Sequence, residues 1–367
     1  GCVPKRLASH TVDAEYTAEM ELTYQGANGM SLAANLGYPR FGAHRELKRA
    51  LESYWSGKIS ERDLLNTGRQ LRLTHWQLQR DAGIDVIPSN DFSFYDQVLD
   101  TSAMVGAIPA RYAHLDTTPL DTYFAMARGL QKNALDISAM EMTKWFDTNY
   151  HYIVPEIELG QTFQITSTKV LDEFLEARQV GIHTRPVLLG PVSYLLLSKS
   201  VTVDSHIVEA GNPSTLTNPL AALTNLLPVY TEILSRLAAA GADWVQIDEP
   251  CLVLDLDEAA HHAYAAAYDQ LSRVKGIQIM LATYFGGLGD NLAVAVGLPV
   301  AGLHIDLARA PQQLPTVLAQ FPADKMLSLG VIKGRNIWRT DLDAAFTTVQ
   351  HAAATLGTDR LQIAPSC

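Results

Sequence analysis

The chain has 367 residues, 28 basic against 39 acidic, and a formal net charge of −11. A field of that sign disfavours general attachment to nucleic acid or anionic membranes, so neither partner is expected and any anionic ligand needs a local basic cluster. The three cysteines, Cys2, Cys251 and Cys367, stand far apart in no CxxC pattern, which argues against a disulfide framework or a cysteine zinc site and suits a reducing, cytoplasmic setting.

Residues 1–29 lack an apolar h-region and do not read as a signal peptide; they are treated as an extension or a segment introduced by cloning. From Met30 onward short apolar strands alternate with longer amphipathic stretches. Eight strands are predicted: 31–37, 85–90, 150–155, 186–191, 244–250, 278–285, 300–306 and 326–332. Runs of this length bounded by Pro, Gly or Asp are the mark of buried parallel strands. With helical segments such as "DEFLEARQVGI" (172–182) and "LTNLLPVYTEILSRLAAAG" (223–241) between them, they predict an α/β fold, a TIM-type (βα)8 barrel over residues 30–367. A doubly wound open sheet is the alternative. The first half carries extra helices (61–82 and 119–131) and an additional strand near "QTFQIT" (161–166).

In such a barrel the functional face lies at the carboxyl ends of the strands. Asp248 and Glu249 sit at one of them, but adjacent strand residues point to opposite faces, which favours a structural role. His304 and Asp306 share a face and could ligate a metal or shuttle a proton; a satisfied buried pair is the simpler reading. His261 and His262 diverge on a helix. "FGGLGDN" (285–291) lacks phosphate-loop spacing and reads as a turn with Asp290 as helix cap, and Asn90 or Asp91 reads as another cap. The remaining feature is "FGAHRELKRALESYWSGKI" (41–59), which gathers Arg45, Lys48 and Arg49 at the start of a helix. The macrodipole disfavours cations there, whereas backbone N–H groups and two cations one turn apart suit an anion. Glu46 and Glu52 are the alternative partners. Lys144, in "MTKWFDTNYHY", lies where it could reach the same rim.

Several stretches resemble the amino-terminal half of the cobalamin-independent methionine synthases (5-methyltetrahydropteroyltriglutamate–homocysteine methyltransferases). Among them are "LGYPRFGAHRELKRALESYWSGKI", "DVIPSNDFSFYDQVLD", "GADWVQIDEPCLVLDL", "GLPVAGLHIDLARAP" and "GRNIWRTDL", in family order, with wording closest to fungal members. The resemblance covers nearly all of residues 30–362. It implies two face-to-face barrels in the whole protein, a monomer, with zinc and the homocysteine site in the carboxyl-terminal barrel and no metal in this half. It also implies that Arg45, Glu46, Leu47, Lys48 and Lys144 contact the polyglutamate tail of 5-methyltetrahydropteroyltriglutamate. Where the family usually has Asp or Asn before "GRN", this chain has Lys333.

Three functions follow for comparison. In the first, this barrel binds the folate tail of a methyltransferase and is inactive without the other barrel. In the second, it is a scaffold whose cations make interdomain ion pairs. In the third, it is an autonomous barrel hydrolase or decarboxylase using Asp248, His304 or Asp306.

Overall fold

A computed structural model describes residues 30–132, 135–201 and 218–367 of the protein. Eight parallel strands form the barrel: β1 Leu32–Ala33, β2 Ile87–Ser89, β3 Thr184–Leu189, β4 Trp244–Asp248, β5 Gln278–Ala282, β6 Gly302–Asp306, β7 Met326–Ile332 and β8 Leu361–Pro365. Sequential strands pair from β2 through β8, β8 pairs with β1, and a parallel bridge between Ala34 and Val86 joins β1 to β2. The sheet therefore closes into the expected (βα)8 barrel.

Two strand assignments differ from expectation. Residues 150–155 do not enter the barrel; His151–Ile153 pairs antiparallel with Met142–Lys144 in a hairpin between β2 and β3. Their aromatic and β-branched residues favour extended backbone, but the neighbouring segment Met142–Lys144 captures them locally. The eighth strand is instead Leu361–Pro365, which follows the helix Leu342–Leu356. The predicted strand at 161–166 forms no ladder. Its extended backbone donates from Gln164 and Thr166 to the carbonyls of Val105 and Met104, so it satisfies the end of the helix Gln97–Val105. The extra helices of the first half are present as Glu61–Asp81 and Pro119–Arg128.

Strand periodicity divides the core. Val245, Ile247, Leu303, Ile305, Leu327 and Leu329 point outward into the main apolar cluster beneath the helices. The alternate positions point inward and are largely polar. Arg185, fully buried, donates to Gln362 Oε1 at 3.0 Å and Gln246 Oε1 at 2.9 Å. Gln246 in turn donates to Asp248 Oδ1 at 2.8 Å. Buried polar groups are tolerated when partnered in this way.

Candidate functional site

At the carboxyl ends of the strands a cavity of about 490 Å³ opens over the barrel interior. Asn90, Asp91, Asp100 and Lys169 face it on one side, Asp248 and Tyr284 on the other, and Trp145 of the hairpin reaches over it. The hairpin is fixed at its tip. Asp147 accepts from Arg309 Nη1 and Arg335 Nη1, each at 3.0 Å, which ties the turn to the loops after β6 and β7. Trp145 and Phe146 add ring contacts to Phe285. The hairpin thus crosses the barrel mouth.

Most polar residues at the strand ends are used internally. Asp248 faces the cavity and Glu249 points away from it, as strand alternation requires. Glu249 accepts from the backbone N–H of Val192 and Ser193 and from Tyr268 at 3.0 Å, holding the start of the helix Pro191–Leu196. A Cβ at Gly190 would overlap this carboxylate. Burial pushes the Glu249 carboxyl up to about 7. His304 bonds to Ser328 Oγ at 2.8 Å, and burial lowers its imidazole to about 3, so it stays neutral. Asp306 accepts from the amides of Phe285, Ala308 and Arg309. Both are satisfied structural groups. His261 bonds to Asn291 at 2.7 Å.

The two expected helix caps are elsewhere. Asp290 is exposed and makes no cap; Asn291 precedes the helix Leu292–Gly297 and donates to the carbonyls of Leu252 and Leu254. Asp96, not Asn90 or Asp91, caps the helix Gln97–Val105 through the amide of Leu99. Asn90 has a φ of 62°, bonds Val187 and receives Lys169 Nζ at 2.7 Å. Asp91 accepts from the amide of Tyr38 at 2.8 Å, and burial pushes its carboxyl up to about 7. Lys169 meanwhile pairs with Asp100 and Glu173, both at 3.3 Å. Sequence reasoning missed Lys169 and Asp100, because their ion pair joins elements far apart in the chain.

None of the five sequence-predicted site residues lines this cavity; Lys144 adjoins Trp145, which does. The helix Glu46–Trp55 begins after Arg45, which is exposed and held at φ 61° with no side-chain cap bond. A non-glycine residue in that left-handed region carries strain, of the kind that collects at functional sites. Gly42, at φ 79°, makes the preceding turn so tight that a Cβ there would strike the Glu46 carboxylate. Glu46 folds back to accept from the His44 amide at 2.9 Å; that bond and its own amide hold its carboxyl below the usual range. It is thereby occupied at the helix start. Leu47 is fully buried and anchors the turn in the second apolar cluster. Lys48 approaches Glu52 at 3.8 Å, both more than half exposed, a pair worth little. Lys144 is exposed on the hairpin, opposite His151. Arg45 and Lys144 form no ion pair among the described residues. The rim therefore presents cations with their charge largely unspent.

Residues that could hold a metal do not converge. Among the described residues no group of three His, Cys, Asp or Glu side chains is placed to bind one. Cys251 is buried, which pushes its thiol up to about 12. Among the described residues no helix is long and apolar enough to cross a membrane.

A family profile described as cobalamin-independent synthase, N-terminal domain, matches residues 32–357. Curated 5-methyltetrahydropteroyltriglutamate–homocysteine methyltransferases are similar over most of the chain. That of Nitrobacter winogradskyi is 55% identical over 351 residues, covering 91% of this chain and 44% of the relative. That of Xylella fastidiosa is 55% identical over 339 residues, covering 92% and 43%. The chain thus spans less than half the length of these relatives. Among solved structures, a putative vitamin-B12-independent methionine synthase from Listeria monocytogenes shares the fold at TM-score 0.60 and 15% identity, covering 92% of this chain and 90% of its own. A B12-independent methionine synthase from Shewanella, in complex with selenomethionine, does so at 0.61 and 14%, covering 92% and 90%. The chain belongs to the cobalamin-independent methionine synthase family, as its N-terminal domain.

Proposed function

We propose that this barrel binds the polyglutamate tail of 5-methyltetrahydropteroyltriglutamate for an enzyme that moves the folate methyl group to homocysteine, giving methionine. The observation that carries the reading is a set of exposed cations that are at most weakly paired: Arg45 and Lys48 at a helix start, with Lys144 on the hairpin that crosses the mouth. A triglutamate tail carries several carboxylates. In a chain of net charge −11 it needs fixed cations close by, because the general field repels it. Glu46 supports the site indirectly by closing the turn, and Leu47 by anchoring it.

Catalysis would require the remainder of the longer polypeptide, which would supply the homocysteine site and zinc. This chain alone is expected to be inactive. The candidate for its meeting face is the segment after β7, where Ile337 and Trp338 are 94% and 75% exposed and Leu342 and Phe346 are also exposed. Exposed apolar residues in such a run mark a surface that another protein surface covers. Lys333 lies beside the same patch and adds charge at its edge.

The reading is tested by calorimetric titration of the chain with methyltetrahydrofolate bearing one or three glutamates, beside a Lys48→Ala, Lys144→Ala variant. Preferential binding of the triglutamate, lost in the variant, supports tail binding. Equal binding of both ligands, or an unaffected variant, would leave the scaffold role.

A further inference from the structure

We propose that Arg40 is a positioning residue for the tail site, clamping the hairpin that carries Lys144 against the loop that carries Arg45 and Lys48. The inference rests on the tail-binding reading above and assigns a residue outside the five positions named there. The Arg40 guanidinium lies between two rings, 5.0 Å from the centroid of Phe41 and 5.0 Å from that of Tyr150. One ring belongs to the basic loop and the other to the hairpin. Its Nη2 donates to the Tyr95 carbonyl at 2.5 Å, and the Tyr150 hydroxyl donates to the same oxygen at 3.1 Å. Three chain segments therefore meet at one guanidinium.

The chemistry favours arginine at this point. A planar cation stacks on aromatic faces while its edge donates, which a lysine ammonium does not reproduce. The Nε is buried with no acceptor, so ring contacts and one strong hydrogen bond, rather than a full donor set, hold the group. Burial pushes the Tyr150 phenol up to about 12, so it keeps the proton it donates.

The connections to the cations are short. Arg40 and Arg45 are joined by the tight turn at Gly42. Tyr150 adjoins His151, whose cross-strand partner is Lys144. The other side of the same turn is held by Asp147 with Arg309 and Arg335. Loss of Arg40 would remove the link between the Tyr150 side of this turn and the basic loop, so that Lys144 is held less firmly relative to Arg45 and Lys48. A ligand reaching across both segments would then have to pay the entropy of ordering them.

The test titrates wild type, Arg40→Ala and Arg40→Lys with monoglutamyl and triglutamyl methyltetrahydrofolate, and follows amide hydrogen exchange in each. Arg40→Ala is expected to weaken triglutamate binding about tenfold, a loss on the scale of two exposed charge contacts, and to leave monoglutamate binding within about twofold. The amides of Trp145 and Ile153 should exchange faster while those of β4 to β7 keep their protection. Arg40→Lys should behave as the alanine variant does, because it retains charge but not the stacked plane. Combining Arg40→Ala with Tyr150→Ala should cost no more than either alone. Retained triglutamate preference in Arg40→Ala, or unchanged hairpin exchange, overturns the assignment even where the Lys48→Ala, Lys144→Ala variant loses binding. Full rescue by Arg40→Lys overturns it in favour of simple charge. A wild-type chain with no triglutamate preference overturns the tail-binding reading and this inference together.

Discussion

Two regions of the barrel treat their polar residues differently. From β4 to β8 the strand-end groups are closed upon the protein itself: Glu249 holds a helix start, His304 meets Ser328, and Asp306 gathers three amides. In the first half the segments around β1 and between β2 and β3 leave charge exposed, with Arg45 strained into the left-handed region and Lys144 on a hairpin outside the barrel. The regular half is a scaffold in which polar residues serve stability. The irregular half departs from the barrel plan where a ligand could be met, as expected when function is carried by loops and insertions on a rigid frame.

The contrast is broken most severely at Glu249. Glu249→Ala strips acceptors from the Ser193 amide and the Tyr268 hydroxyl inside the protein and should cost about 3–5 kcal/mol in urea unfolding. It should leave triglutamate affinity in the surviving folded protein unchanged. A loss of ligand affinity without loss of stability would contradict the division.

A smaller effect is expected at Asp91, which faces the cavity. Burial raises its carboxyl from 3.8 to about 7, so the folded state holds the proton more tightly than the unfolded chain. Stability from this group is full below about 3.8 and is lost as the pH rises through about 7. Asp91→Asn should therefore flatten part of the stability–pH curve and stabilise the chain at pH 8 by roughly 1–4 kcal/mol. Unfolding at pH 5 and pH 8 checks the sign; an unchanged slope would show that Asp91 is ionised in the native state throughout.

The smallest folding effect should come from the apolar patch. Ile337→Ser with Trp338→Ser should alter unfolding free energy by no more than about 0.5 kcal/mol, because neither side chain is buried. The same pair should weaken association with a separately produced carboxyl-terminal half. Undiminished association, measured by size-exclusion chromatography, would place the contact elsewhere.

Much of this was legible in the residues. Short apolar runs bounded by turn formers pointed to the barrel, and strand alternation alone separates Asp248 from Glu249. At the basic helix start the two alternative acidic partners part ways: Glu46 is committed to the His44 amide, whereas Glu52 approaches Lys48. Strand propensity alone could not tell that 150–155 pairs within a hairpin, or that β1 would be two residues long. Nor could local chemistry show that Asn90 and Asp91 serve distant partners, Val187 and Tyr38, instead of the next helix. Arg40 lay within a quoted motif, yet its role depends on Tyr150, more than a hundred positions away. Long-range pairings of this kind leave no periodic signature.

The central claim is that Lys48 and Lys144 meet the carboxylates of a polyglutamate tail. Its most direct test is the salt dependence of triglutamate binding, measured against the monoglutamate in wild type and in the Lys48→Ala, Lys144→Ala variant. The account predicts that the wild-type preference for triglutamate falls steeply with ionic strength and that the variant has about tenfold less of it at low salt. A preference that is insensitive to salt, or equal in the two proteins, would contradict the account.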